Sequence, residues 1–397
     1  MKCAFRKEYD VIVAGAGIAG VAAALATARR GLKTALIEKQ TLIGGLATSG
    51  LIYIYLPLCD GAGHQVTFGI AEELLKESLA YSPFDLAPEW GGPENGNFCC
   101  PKPRYQCRFS PAGFTLALDK ALLEAGVDLW LETLVCGAET DDAGRVSSVE
   151  VINASGFGKL TARYFIDATG NCSLVSAAGG ATVSGENFLT PWIMEANPKR
   201  LHYHLVDSIG INPLEDKPKL KVPSPVDGKG VTDFIRGSWR ICREHYDSSY
   251  ASGDATRKEL FPVHLPAMPQ FRKISRIQGL ETLGTGQEWK NMETSIGVYG
   301  DWRNNGKVWE TPYGTLVPKD LKGILAAGRN ISTDDDAWEA FRVIPSAAMT
   351  GEVAGVAAAM SLKGDMDASE LNVEALRAEL RKNGFRFHLQ EVGLEPR

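Results

Sequence analysis

The stretch Tyr9–Gly20, YDVIVAGAGIAG, constrains this chain more than any other. Val11, Ile12 and Val13 form a short β-branched run that reads as a buried strand. It runs into Gly15-Ala16-Gly17-Ile18-Ala19-Gly20, a G-x-G-x-x-G turn, and Ile18, Val21, Ala22 and Leu25 follow at helical spacing. Gly15 permits the tight exit from the strand, Gly17 lets a pyrophosphate approach the backbone, and Gly20 lets helix pack on strand. The helix start then offers free N–H groups and the positive dipole end to that anion. A second strand, 33–37, ends in Glu38, eighteen residues past Gly20. A carboxylate there suits an unphosphorylated adenosine ribose, because it hydrogen-bonds hydroxyls and repels a 2′-phosphate. The glycine pattern alone also occurs as an ordinary turn. Here strand, helix, second strand and terminal acid come in order, which points to a Rossmann-like α/β dinucleotide-binding fold.

At 397 residues the chain is one very large domain or two. A net charge of −6 argues against a general nucleic-acid binder. The uncharged stretch 40–59 is interrupted by Gly44, Gly45, Gly50 and Pro57, so it reads as a glycine-dense loop for a flat ligand rather than a membrane span. No basic, apolar signal opens the chain, and the expectation is a soluble, cytoplasmic protein. The eight cysteines form no C-x-x-C, so neither a redox pair nor a zinc knuckle is indicated; the vicinal Cys99-Cys100 reads as reduced thiols. His202 and His204 alternate as on one strand face but lack a third ligand, and no metal site is expected.

Further along, 68–79 reads as a helix and 81–108 as a Pro- and Gly-rich excursion. Ser110-Pro111 opens a helix that stops at Gly126. From 127 to 167 the pattern is β, a meander ending in Asp167-Ala168-Thr169-Gly170, a polar turn of the kind that binds ligands at a strand's carboxyl end. Residues 181–310 hold five of the eight tryptophans and read as an inserted mixed α+β substrate domain. The first domain, 1–180, then returns over 311–364. Its last helix opens at Ile344-Pro345, and Gly351 and Gly355 leave a face without side chains for packing on something flat. Residues 365–397 read as a polar helical tail.

Four separated motifs carry a resemblance to the FAD-dependent oxidoreductases of the glutathione-reductase-like class, and more narrowly to the family called FAD-dependent oxidoreductase: GAGIAG at 15–20, EKQTLIGGLATSGL at 38–51, FIDATGN at 165–171, and ILAAGRNIS with FRVIPSAAMTGEVAGVAAA at 324–332 and 341–359. The resemblance implies FAD as cofactor. It implies that Gly15, Gly17, Ile18, Ala19 and Gly20 take the pyrophosphate. Glu38 takes the adenosine ribose with Lys39 beside it, and Val135 covers the adenine. Gly45, Leu46, Ala47 and Thr48 line the flavin loop, and Ala168, Thr169 and Gly170 close over the dinucleotide. Gly328 and Arg329 meet the ribityl and phosphate end, and Ile344, Pro345 and Ala348 meet the isoalloxazine, where a helix start stabilises charge near N1 and O2. Asn171 stands where many relatives carry an acid, which weakens a proton-relay role there. No second G-x-G-x-x-G exists, so no separate NAD(P)H domain is expected.

Catalytic candidates come from the inserted region and from the loops that face the flavin ring. Arg272 and Arg276, four apart, could clamp an anion or form structural ion pairs. His264 could act as a base or be solvated, and Tyr313 could donate a proton or pack. Arg342 could serve flavin or substrate, or brace the Asp334-Asp335-Asp336 loop. The leading expectation is hydride transfer between flavin N5 and a small polar organic substrate, with an electron donor or acceptor the residues leave unnamed. The alternatives are a structural flavin in a binding or assembly protein, and flavin-dependent RNA modification, which the acidic balance disfavours.

Overall fold

Strands buried on both faces take the centre of a parallel sheet, and the apolar N-terminal strand does so here. The structure, a computed structural model, describes residues 2–100, 104–185, 187, 191–197, 202–206 and 227–397, with 197 and 202–206 described as backbone. The side chains of His202 and His204 therefore lie outside the described residues.

β1 (Phe5–Ala14) leads through the glycine turn into α1 (Ile18–Ala28) and β2 (Thr34–Ile37). β3 (Ile54–Tyr55), α2 (Ile70–Glu77) and β4 (Cys107–Arg108) follow, then α3 (Pro111–Glu124). Next come β5 (Asp128–Trp130), β6 (Leu134–Thr140), β7 (Val146–Asn153), β8 (Gly156–Asp167) and α4 (Ser173–Ala177). β9 (Thr182–Ser184), β10 (Ile193–Asn197), β11 (His202–Val206), α5 (Gly228–Ala251), β12 (Phe261–His264) and β13 (Ser275–Ile277) make the next region. β14 (Ser295–Gly300), β15 (Val308–Pro312), β16 (Ile324–Ala326), α6 (Asp335–Phe341), α7 (Ile344–Gly364) and α8 (Val373–Arg381) complete the order.

The main sheet runs β5-β2-β1-β8-β7-β6, with β16 also on β8. β8 pairs in parallel with β1 along most of its length. Its other edge is shared: β7 pairs antiparallel with its first half, and β16 pairs in parallel with Phe165–Asp167. The meander peels away where β16 enters. As a result Ala14, Asp167 and Ala326 lie in register, and the turns that follow all emerge at one edge. This is the carboxyl edge at which open α/β sheets bind ligands.

Local rules explain the flanking helices. Ser110 Oγ accepts the Gly113 N–H at 3.2 Å, and Pro111 occupies the first turn of α3, where its missing donor costs nothing. α7 ends at Gly364, and Asp365 takes the left-handed cap with φ 50°. The side-chain-free face of α7 lies against α1: a Cβ on Gly351 would sit 2.2 Å from Ala19 O, and one on Gly355 2.6 Å from Ala23 O. The flat partner expected for that face is this helix.

β11, β10 and β12 form a separate antiparallel sheet, and β9 pairs with β13. α5 starts at Asp227, whose carboxylate accepts the Lys229 and Gly230 N–H groups. The segment expected as a polar tail is only partly helical and closes the core: Leu376, Leu380, Phe385, Phe387 and Leu389 are buried. Buried Arg377 donates to Ser295 O and Glu293 O, which fastens this segment to β14 and the turn before it. No single helix among the described residues is long and apolar enough to cross a membrane; α6 and α7 meet both conditions only together and are bent by 88°.

Candidate functional site

Three strand-end turns and two helix starts enclose one cleft of about 930 Å³, its open mouth included. Gly15, Gly17, Ile18 and Ala19 line it from the β1–α1 turn. Ala168, Thr169 and Gly170 line it from the end of β8, and Gly328 and Arg329 from the end of β16. Glu38, Lys39, Gly45, Leu46 and Ala47 close one wall, and Arg342 and Ile344 another. A second opening, lined by Val135 with Thr133, shares Gly15, Glu38, Lys39, Thr169 and Asn171 with the first and extends it over β6.

The cleft is shaped for a dinucleotide. Gly15 has φ 93°, and a Cβ there would lie 2.6 Å from Ala168 O, so only glycine allows the two turns to meet. A Cβ on Gly17 would meet no atom within 4 Å, and this is the side on which a pyrophosphate would lie. α1 carries no side-chain cap and no acid in its first turn, so its N–H groups and dipole are available to an anion. α7 starts without a side-chain cap as well, with Ile344 on the cleft wall.

Glu38 ties the wall together. One carboxylate oxygen accepts the Ala16 N–H at 2.8 Å and the other the Gln40 N–H at 3.0 Å. Burial raises its pKa, and the backbone donors and Lys39 oppose that rise. The two carboxylate oxygens retain acceptor capacity for ribose hydroxyls.

Several expected residues stand behind the cleft rather than on it. Gly20 does not line it, because its role is contact: a Cβ there would fall 1.8 Å from Gly15 O. Thr48 turns its hydroxyl back to Ile43 O, and Pro345 and Ala348 are buried off the lining. Among the catalytic candidates only Arg342 lines the cleft. Tyr313 is buried in the core and its hydroxyl donates to Ala368 O at 3.0 Å, so it is a packing residue. His264 is exposed on β12, paired through its backbone with Met194. The expected Arg272–Arg276 clamp does not form. Arg276 is on β13, paired with Asp334 and stacked near Trp338, whereas Arg272 precedes the strand and donates to Gln270 O.

The structure gives roles to residues that the motifs left without one. Asp167 is fully buried, and one carboxylate oxygen accepts the Thr169 N–H, the Thr169 hydroxyl and the Asn330 amide at 2.8 Å. Its other oxygen accepts the Val175 N–H. This one carboxylate joins the two turns that carry Gly170 and Gly328. The signal was present in the FIDATG and GRN motifs as an acid and an amide that face no solvent. Met268 and Pro269 also line the cleft, held there by Ala267 N–H on Ser49 O and by the Gln270 amide on Gly50 O. No periodicity marks such a long-range contact.

The electrostatics are cationic. Arg272 is buried and Arg329 half-buried, and desolvation first, then the nearby Arg342, lowers the guanidinium pKa of Arg329 to about 10 and that of Arg272 to about 9. Glu339 answers with an ion pair to Arg342 at 2.8 Å and another to Lys273 at 2.7 Å, and its pKa falls to about 2 as these cations outweigh its burial.

Residues 10–189 and 289–380 match the family described as FAD dependent oxidoreductase. No curated protein matches the sequence. Among solved structures, p-nitrophenol 4-monooxygenase from Pseudomonas putida is similar at TM-score 0.50 and 12% identity, covering 95% of this chain and 85% of that one. A geranylgeranyl bacteriochlorophyll reductase-like protein from Thermoplasma acidophilum gives TM-score 0.47 and 16% identity, covering 98% and 87%. With the family match spanning both halves of the glycine-lined cleft, this chain belongs to the FAD-dependent oxidoreductase family and is a flavoenzyme with FAD as its cofactor.

Proposed function

We propose that this enzyme transfers a hydride between flavin N5 and a small organic substrate that carries an anionic group. The observation behind this reading is the Arg342 guanidinium on the cleft wall, close enough to buried Arg272 and half-buried Arg329 for its charge to help lower their pKa values. FAD, when bound, supplies the hydride donor or acceptor. The protein's part is to bind, orient and exclude water.

Arg342 is placed to orient the anion. Its Nε is spent on Glu339, which fixes the guanidinium plane and keeps the paired Nη donors for a planar acceptor. Beyond Met268 and Pro269 lies a second cavity of about 190 Å³, walled by Ile193, Phe234, Trp239 and Leu265. A void of ~150 Å³ with apolar walls admits a benzene-sized ring. An apolar body in this cavity and an anionic end toward Arg342 suit one amphiphilic substrate. Gln270 holds the partition, since its amide donates to Gly50 O and Trp192 O and accepts from Trp192 N–H. The glutathione-reductase-like reading draws its support from the β1–α1 glycine turn and from the β8-β7-β6 meander of the main sheet.

The test is anaerobic reduction of the FAD-loaded protein by a panel of aromatic and aliphatic hydroxy and amino acids. Reduction by an anionic donor is expected, with Arg342→Ala raising KM about tenfold and changing kcat far less. A flavin that no donor reduces and, once reduced chemically, no acceptor reoxidises would leave the structural-flavin alternative in its place.

A further inference from the structure

The fold brings Cys107 against the vicinal pair Cys99-Cys100. Cys99 Sγ lies 3.7 Å from Cys100 Sγ and 3.7 Å from Cys107 Sγ. The Arg108 backbone N–H points at Cys99 Sγ at 3.2 Å. Cys107 is buried on β4, paired with Tyr55 of β3, whereas Cys99 and Cys100 are half-buried and reachable. Tyr105, between them in sequence, stacks on Trp90 at 4.2 Å and donates to Glu72, which holds the excursion in place.

Beside two other thiols and with a backbone N–H aimed at it, the Cys99 sulfur is stabilised as thiolate, and those contacts draw its thiol well below the ordinary range, while the Cys107 S–H points at Asp85 O at 3.4 Å. The same contacts, with burial, push Cys100 and Cys107 up, so they stay protonated. One nucleophile thus stands beside two protonated thiols, the arrangement of a thiol with its resolving partner.

We propose that Cys99 is a peroxide-reactive thiol, and that Cys107 resolves it to a Cys99–Cys107 disulfide. In the first step the Cys99 thiolate attacks one oxygen of a hydroperoxide. The O–O bond breaks, the sulfur becomes a sulfenic acid, and the other oxygen leaves as water or alcohol once protonated. In the second step the Cys107 sulfur attacks the Cys99 sulfur, the S–O bond breaks, and water leaves with the Cys107 proton. The two thiols lose two electrons, and the peroxide gains them. Cys107 is the resolving partner because a disulfide between adjacent residues closes a small ring around their peptide bond, which resists departure from planarity. The cross-link would fasten the Cys99 segment to β4, and through β3 to the segment that follows the flavin loop.

The experiment treats the FAD-loaded protein with one equivalent of hydrogen peroxide, alkylates the remaining thiols, and maps a non-reducing digest by mass spectrometry. A linked Cys99–Cys107 peptide, reversible by dithiothreitol, is expected. It should form about tenfold faster than exposed Cys136 oxidises, because an ordinary thiol is only a few per cent thiolate near neutral pH. Cys99→Ser, at a half-buried position, should abolish the link, and Cys107→Ser should leave a dimedone adduct on Cys99. Oxidation of Cys136 at an equal rate, a Cys99–Cys100 link alone, or an unmodified Cys99 would each overturn the proposal. None of these readouts depends on turnover at the flavin, so the thiol chemistry and the hydride-transfer reading fail separately.

Discussion

Glu352→Gln should make this protein progressively more stable than wild type as pH rises. Glu352 sits inside α7, fully buried, where one carboxylate oxygen caps the start of α2 by accepting the Ile70 N–H at 2.6 Å. The other accepts the Asn383 amide at 2.6 Å. Burial outweighs both hydrogen bonds and lifts the pKa from 4.5 to about 7. A rise of that size is worth about 3 kcal/mol. The sign follows from proton counts. Below about pH 4.5 the group is protonated in both states and carries no penalty. Between about 4.5 and 7 the unfolded chain loses its proton before the native state does, so stability falls as pH rises through that window. Glutamine does not titrate, and its amide can keep the Ile70 contact while donating to a flipped Asn383. Urea unfolding of both proteins at several values from about pH 5 to pH 8 should show the gap shift in favour of the variant by up to about 3 kcal/mol, with similar m-values. Parallel pH profiles would refute the assignment of a buried, reluctantly charged carboxyl.

Glu38→Ala removes the acceptor for two backbone N–H groups as well as the ribose contact. It should cost about 1–3 kcal/mol of stability without FAD and weaken FAD binding further, read by thermal melts and flavin titration. Gly351→Ala places a methyl 2.2 Å from Ala19 O and must push α7 off α1. A loss of about 1–3 kcal/mol and poorer flavin retention after gel filtration are expected; an unchanged melt would show that this contact is not close.

What the sequence determined by itself is the part of this protein that local chemistry specifies. Gly15, Gly17 and Gly20 are needed wherever a strand must turn sharply into a helix under a phosphate, so the cleft's floor is legible in twelve residues. Ser110 as a cap and the β-type runs 146–152 and 160–166 declare their elements because capping and pleating depend on near neighbours. Tertiary structure decided whatever depends on partners distant in the chain. Arg272 and Arg276 look like a pair at a spacing of four, yet Asp334 takes one and the other turns toward Gln270 O. Tyr313 looks available until Ala368 O is found against its hydroxyl. The polar text of 365–397 conceals the few large apolar residues that close the core. Cys99 and Cys107 fit no motif spacing, and only the fold, with the Arg108 N–H on Cys99 Sγ, places them beside each other. A hydrogen bond or an ion pair acts over a few ångströms of space, whatever the number of residues between its partners. Chain order therefore reveals such a bond only when the two distances happen to coincide.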